Sequence, residues 1–214
     1  MHDSVAAARR SALDRRTAMR LAATEYVRWA DALDAVTMEQ LSLPTDNGAW
    51  DVRAMVGHVV GMTEMAASTV ETIRQQRAAS RAASRSGAAF IDELTDLQVR
   101  KHASDSLTKL QQRMRRIGPK AVRGRRRTPP VIRNRTLPPE QALPELGGRE
   151  TWTVGYLVDT ILTRDPWMHR VDLSRATGAP MQLTAEHDGV LVADVVAEWA
   201  GRHAQPCSLT LTGP

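Results

Sequence analysis

Apolar residues recur at steps of three and four along most of this sequence, a period that an α-helix turns into one continuous apolar face and a β-strand does not. Met19, Ala22, Tyr26, Trp29, Leu33 and Val36 form the first such stripe. A second follows Asp51, a good N-cap for a helix opening at Val52, and reads Val52, Met55, Val56, Val59, Ala66, Val70 and Ile73. Phe90, Ile91, Leu94 and Leu97, together with Leu107, Leu110, Met114 and Ile117 after a cap at Ser104, make a third helical region. The fourth begins near Thr151 and carries Val154, Val158, Ile161, Asp165, Met168 and Asp172, and Gly178-Ala179-Pro180 ends it. Such helices bury their stripes against one another as an antiparallel four-helix bundle, whose sites lie between facing helices. The fold expected is therefore mainly α.

The connections are less regular. Ser80–Gly87 reads equally as a polar extension of the second helix or as a linker. Residues 118–150, dense in proline and glycine and holding Arg123-Gly124-Arg125-Arg126-Arg127, are expected to form a long loop. Beyond Gly178 the pattern suggests a strand at Met181–Thr184, a helix at Glu186–Gly201 and an alternating strand at Ser208–Thr212. The expected division is a bundle over 1–178 and a short α/β segment over 179–214.

At 214 residues the chain is long enough for one such domain with an appendage. No apolar run approaches a membrane span and the start lacks the apolar block of a secretory signal, so a soluble protein of the cytoplasm is expected. A single cysteine, Cys207, excludes an intrachain disulfide and a cysteine-based zinc finger, leaving histidines and carboxylates as metal ligands. The formal charge is +5, but 17 basic and four acidic residues stand between Arg74 and Arg135. That excess suits an anionic partner, or is a solvated arginine-rich loop. The 115–135 segment holds no aromatic residue for base stacking, so for nucleic acid it supports only nonspecific phosphate binding.

Chemistry concentrates on the fourth stripe. A carboxylate on an apolar helical face is costly to bury unless a cation, a metal or good donors compensate it, so Asp165 needs a partner. His169 stands one turn further along the same face, the spacing at which two helical side chains converge on one ion. His58, set in Val56-Gly57-His58-Val59-Val60, is the natural third donor from another helix. Each has a plainer reading. His58 serves equally as a core histidine, Asp165-Pro166 is what a helix start looks like, and Asp172 either orients a ligand histidine or pairs with Arg170 or Arg175. His2, His102, His187 and His203 read as surface histidines, Cys207 as a buried structural thiol, and Trp167 as a wall of the site.

The segments Trp50-Asp51-Val52-Arg53-Ala54-Met55-Val56-Gly57-His58-Val59 and Thr163-Arg164-Asp165-Pro166-Trp167-Met168-His169-Arg170-Val171-Asp172-Leu173 resemble a known pair of motifs. Over about residues 10–178 the chain resembles the mycothiol-dependent maleylpyruvate isomerase family, whose amino-terminal domain is a DinB-like metal-binding four-helix bundle. The resemblance implies a divalent metal, typically zinc, held by His58, Asp165 and His169, and mycothiol as thiol cosubstrate. It implies a small acidic or electrophilic substrate, with isomerase or thiol-transferase chemistry. The acid is Asp165 where the isomerase resembles Glu, a side chain one methylene longer. In the family a mixed α/β domain often follows the bundle, and Met181–Pro214 resembles only its opening, so a shortened second domain is expected. The alternatives are a metal-binding bundle without catalysis and a nonspecific nucleic-acid-binding protein acting through 115–135.

Overall fold

In the computed structural model, which describes residues 8–138, 151–203, 205–206 and 208–210, the first stripe becomes α1, Arg15–Asp34. Asp14 opens it by accepting a hydrogen bond from the Thr17 amide at 3.0 Å. Helix α2, Val52–Ala67, is capped by Asp51 through the Ala54 amide at 2.8 Å, at the position the sequence indicates. It is shorter than its stripe. Ser68 turns extended and caps a new helix, α3 (Thr69–Ser86), so Val70 and Ile73 leave the α2 face and are exposed. Ser80–Ser86 is helical, and Gly87 closes α3 with φ 76°. The expected third helix is two helices, α4 (Phe90–His102) and α5 (Leu107–Arg127), with the cap at Ser106 instead of Ser104.

The long loop expected over 118–150 is corrected through Arg127, where the chain is still α5. Pro119 lies on the exposed side, where water can serve the carbonyl that its missing N–H leaves free. Ile117, Gly118, Ala121, Val122 and Arg125 meanwhile keep the helical period on the buried side. Gly124 is required there, because a Cβ would meet the Ala66 carbonyl oxygen of α2 at 2.4 Å. A short turn of helix, α6 (Pro130–Arg133), follows, and the rest of the expected loop from 139 lies outside the described residues.

The fourth stripe is one helical run with a fault in it. It begins as α7 (Val154–Tyr156), passes through a π-helical turn at Leu157–Ile161 and continues as α8 (Leu162–Thr177), closed by Gly178. The π turn shifts the inward face, so Met168 is exposed while Arg164, Arg170 and Leu173 are buried. Pro166 sits inside α8 and cannot donate to the Leu162 carbonyl one turn back. That oxygen is served instead by Arg125 Nη1 at 3.0 Å and Tyr26 Oη at 3.3 Å. Arg125 Nε also donates to the Val158 carbonyl at 2.7 Å, so a residue of the expected loop is the clamp on the π turn.

Helices α1, α2, α5 and α8 form the bundle. Arg15 meets the end of α5 and Gln111, near its start, bonds the Leu33 carbonyl, so α1 and α5 run antiparallel. Arg53 bonds the Asp105 carbonyl and Gly124 abuts Ala66, so α2 and α5 run parallel. His58 faces Asp165 while Met62 and Met65 cluster with Leu162, which sets α8 antiparallel to α2. The order is up-down-down-up, and the α3–α4 hairpin is the crossover that two parallel neighbours require. Tyr26, Trp29, Leu33, Val56, Val59, Leu110 and Met114 fill the centre. On the flank, Gly61 lets α4 approach α2 so closely that a Cβ would meet Gln98 Cβ at 2.7 Å.

After α8 the expected strands do not appear among the described residues. Met181–Thr184 and Ser208–Thr210 are not strands, since neither short stretch has a neighbour to complete a ladder, and 211–212 lie outside the described residues. The expected helix is present as a π turn at Ala185–Gly189 leading into α9, Val190–His203. This segment is fastened by buried polar contacts. Glu25 receives Arg170 at 2.8 and 3.0 Å and His187 Nε2 at 2.7 Å, and Asp188 bonds Arg28, Arg170 and Trp167. Among the described residues no helix is long and apolar enough to cross a membrane.

Candidate metal centre

Helix α2 presents His58 and α8 presents Asp165 and His169, and the bundle's antiparallel α2–α8 pairing brings them together. His58 Nε2 lies 3.3 Å and His169 Nε2 3.1 Å from the same carboxylate oxygen, Asp165 Oδ1. One ligand atom from each residue lies within 4.8 Å of the other two. His58 is deep, with 5 % of its side chain exposed, whereas Asp165 retains 27 % and opens the group to solvent. Asp165 caps nothing: α8 begins at Leu162, so Asp165 and Pro166 are interior residues of the helix. On its other nitrogen His169 Nδ1 meets Asp172 Oδ2 at 3.1 Å, while Arg175 pairs with Asp46, and Arg170 with Glu25 and Asp188.

The electrostatics favour a positive charge at the centre. Burial works against the ionised form of Asp165, but His58 and His169 outweigh it and hold the carboxyl far below the usual carboxylate range. Burial likewise opposes protonation of His169, yet Asp165 and Asp172 on its two nitrogens raise its pKa. Both imidazoles aim Nε2 at one carboxylate oxygen, so without a metal each must offer a proton there. A divalent ion would take the place of those protons as the positive partner of Asp165, leaving His169 Nδ1–H to donate to Asp172. Two imidazole nitrogens and a carboxylate oxygen, with one side open, are a fitting donor set for zinc.

Several expectations are corrected by the surroundings. The aromatic wall is Trp50, with its ring centroid 5.0 Å from His58 and 5.8 Å from His169. Trp167 points away, its Nε1 donating to Asp188 at 3.0 Å. His102 and His187 are not surface residues. His102 is buried under α2 and hydrogen-bonded to Asp105 at 2.9 Å, and His187 is buried against Glu25. Their sequence neighbourhoods are polar, and the burial comes from partners on other helices. Cys207, His2 and the side chain of His203 lie outside the described residues. Trp50 was legible only as the residue before a helix cap.

Comparison with known proteins is consistent with this geometry. A family model described as the mycothiol maleylpyruvate isomerase N-terminal domain matches residues 22–174, a span that includes every member of the cluster. No curated protein and no solved structure matches the chain significantly.

Proposed function

Because the chain belongs to the family of mycothiol maleylpyruvate isomerase N-terminal domains, we propose that it binds one divalent metal, zinc by preference, and uses it for thiol-dependent isomerase or transferase chemistry. The observation that carries the reading is the convergence of His58, Asp165 and His169, with one ligand atom from each within 4.8 Å of the other two and the group open to solvent at Asp165. These three side chains would hold the ion, and Asp172 would fix the His169 tautomer by accepting from Nδ1. The metal's contribution is to lower the pKa of a thiol so that the thiolate is available at neutral pH.

Charge balance fits that task. The three donors, one carboxylate and two neutral imidazoles, sum to −1, and a divalent ion would bring them to +1, a positive centre that attracts a thiolate. His58 is the most buried of the three donors and Asp165 the most exposed, so the reactant would enter past Asp165. A thiolate that adds to an activated cis double bond leaves a single bond about which rotation is free, and its departure gives the trans isomer. If it stays, the outcome is thiol transfer. By family membership the thiol is mycothiol and the electrophile a small acid. The division into a bundle over 1–178 and an appendage over 179–214 is part of the same proposal, supported by the helix end at Gly178.

The test is metal content by mass spectrometry of the parent, His58→Ala and His169→Ala, with mycothiol consumption measured against a panel of activated alkenes. One equivalent of zinc in the parent, lost in both variants while circular dichroism is unchanged, and thiol turnover abolished by chelator are expected. A parent that takes up no zinc from a zinc-loaded buffer refutes the site. A parent that holds zinc but neither consumes nor isomerises with any thiol leaves a metal-binding bundle without catalysis.

A further inference from the structure

Two imidazoles of the cluster are oriented by different means. His169 has a carboxylate at each nitrogen, Asp165 Oδ1 3.1 Å from Nε2 and Asp172 hydrogen-bonded at Nδ1. His58 has Asp165 on Nε2, but its Nδ1 is buried and has no hydrogen-bond partner. A metal-binding histidine ordinarily donates its second N–H to a carboxylate or carbonyl, which fixes both tautomer and ring angle. For His58 that restraint is missing, and ring packing takes its place. The Trp50 indole lies against it at 5.0 Å with planes 41° apart, and the His169 ring meets it edge-on at 5.2 Å.

The turn that carries the indole is itself held. The Trp50 carbonyl accepts from Thr45 N at 3.1 Å and Thr45 Oγ1 at 2.9 Å, its amide donates to the Asn47 carbonyl at 2.8 Å, and Asp51 next to it caps α2. The Asp46–Arg175 pair ties the same turn to α8, the helix that carries the other two donors. We infer that Trp50 is a positioning residue for the metal centre, holding the His58 imidazole at its ligating angle in place of the absent hydrogen bond and bracing His169 with the same ring face. The inference rests on the metal reading above.

Zinc affinity is measured on the full chain, stripped of metal, by competition with a chromophoric chelator for the parent, Trp50→Ala and Trp50→Phe. Loss of an orienting contact around a metal ligand weakens binding roughly ten- to a hundredfold, and that loss is expected for Trp50→Ala, with most of the affinity restored in Trp50→Phe. Leu110→Ala, a core truncation on α5, a helix that carries none of the three donors, should lower the melting temperature and leave the affinity of the folded protein unchanged. If Trp50→Ala does not fold, Trp50→Leu, which fills space without a flat aromatic face, carries the same comparison. A Trp50→Ala or Trp50→Leu protein that binds zinc as tightly as the parent overturns this inference alone. A parent that takes up no zinc overturns the metal reading and this inference together.

Discussion

Replacing Arg125 with alanine tests whether the fault in the fourth helical run is held by one buried side chain. Arg125 is 1 % exposed and donates to the Val158 carbonyl, the Leu162 carbonyl, Tyr26 Oη and Thr163 Oγ1, at 2.7, 3.0, 3.2 and 2.6 Å. Hydrogen bonds from a charged donor contribute about 1.5–3 kcal/mol each, but burying a guanidinium among neutral acceptors costs several kcal/mol and offsets much of the sum. The decisive term is what the truncation leaves behind. Pro166 cannot donate to Leu162, so Arg125→Ala leaves that carbonyl to the long contact from Tyr26 Oη, and it also takes the Arg125 donor from the Val158 carbonyl. With about 1–3 kcal/mol for each buried acceptor left wanting, the net loss is about 3–5 kcal/mol. At about 2–4 °C per kcal/mol for a chain of this size, the melting temperature should fall by roughly 10–15 °C. Thermal unfolding of parent, Arg125→Ala, Pro166→Ala and the double variant forms a cycle. Pro166→Ala returns an N–H to the Leu162 carbonyl, so Arg125→Ala should cost about 1 kcal/mol less in that background. Equal costs in both backgrounds, or a shift under about 3 °C for the single variant, would refute the account.

Two further outcomes follow from the α2–α4 flank. Glu64 accepts from Lys101 and Arg113 and lies 3.4 Å from His102 Nε2; burial opposes its ionised form, but His102 and Lys101 outweigh burial and hold its pKa at about 2. A carboxyl depressed on folding contributes stability above its unfolded pKa of about 4.3 and loses it as pH falls toward the folded value, so acid melts between pH ~5 and ~2 should show a declining midpoint that Glu64→Gln flattens. An undiminished slope in Glu64→Gln would assign the decline to other groups. Gly61→Ala gains helix propensity of about 1 kcal/mol but forces a Cβ to within 2.7 Å of Gln98 Cβ, so overpacking should win and the urea midpoint should fall. An unchanged or higher midpoint would show that α4 can withdraw freely.

The parts of the fold visible in the sequence are those set by local chemistry. Asp51 capping α2 and Gly178 ending α8 needed only a side chain or a missing Cβ at a helix end. Asp165 and His169 were legible because helical spacing puts them on one face, and His58 joined them through the resemblance of the segment around it. The misreadings share a different cause, in that each depends on a partner distant in sequence. Pro119 and Gly124 resemble loop residues until α2 is seen to need the space over Ala66. Val70 and Ile73 continue the α2 period, yet Ser68 breaks the helix, which no apolar count reveals. His102 and His187 stand in polar surroundings along the chain and are buried only by what folds over them. Trp50 reads as one more helix-end aromatic, because its value lies in facing two rings 8 and 119 positions away.

The buried charges of α8 also explain why the cluster can be held in place at all. A purely apolar face stabilises a helix against its neighbours but tolerates rotation about its own axis, because dispersion and the hydrophobic effect are nearly non-directional. Helix α8 buries rather few apolar residues, Leu162, Pro166 and Leu173, and the rest of its buried surface is Thr163, Arg164 and Arg170. Arg170 grips both oxygens of Glu25 from α1, at 2.8 and 3.0 Å, and Arg164 reaches Asp194 and Glu198 on α9. A buried ion pair is weak evidence for stability, since desolvation consumes most of its Coulombic gain, but a two-pronged guanidinium contact fixes an angle. Asp165 and His169 point at His58 from the remaining face of the same helix, and a site of three converging donors tolerates displacements of only about half an ångström. The contacts that α8 makes away from the cluster therefore set the angle at which it presents its donors to α2.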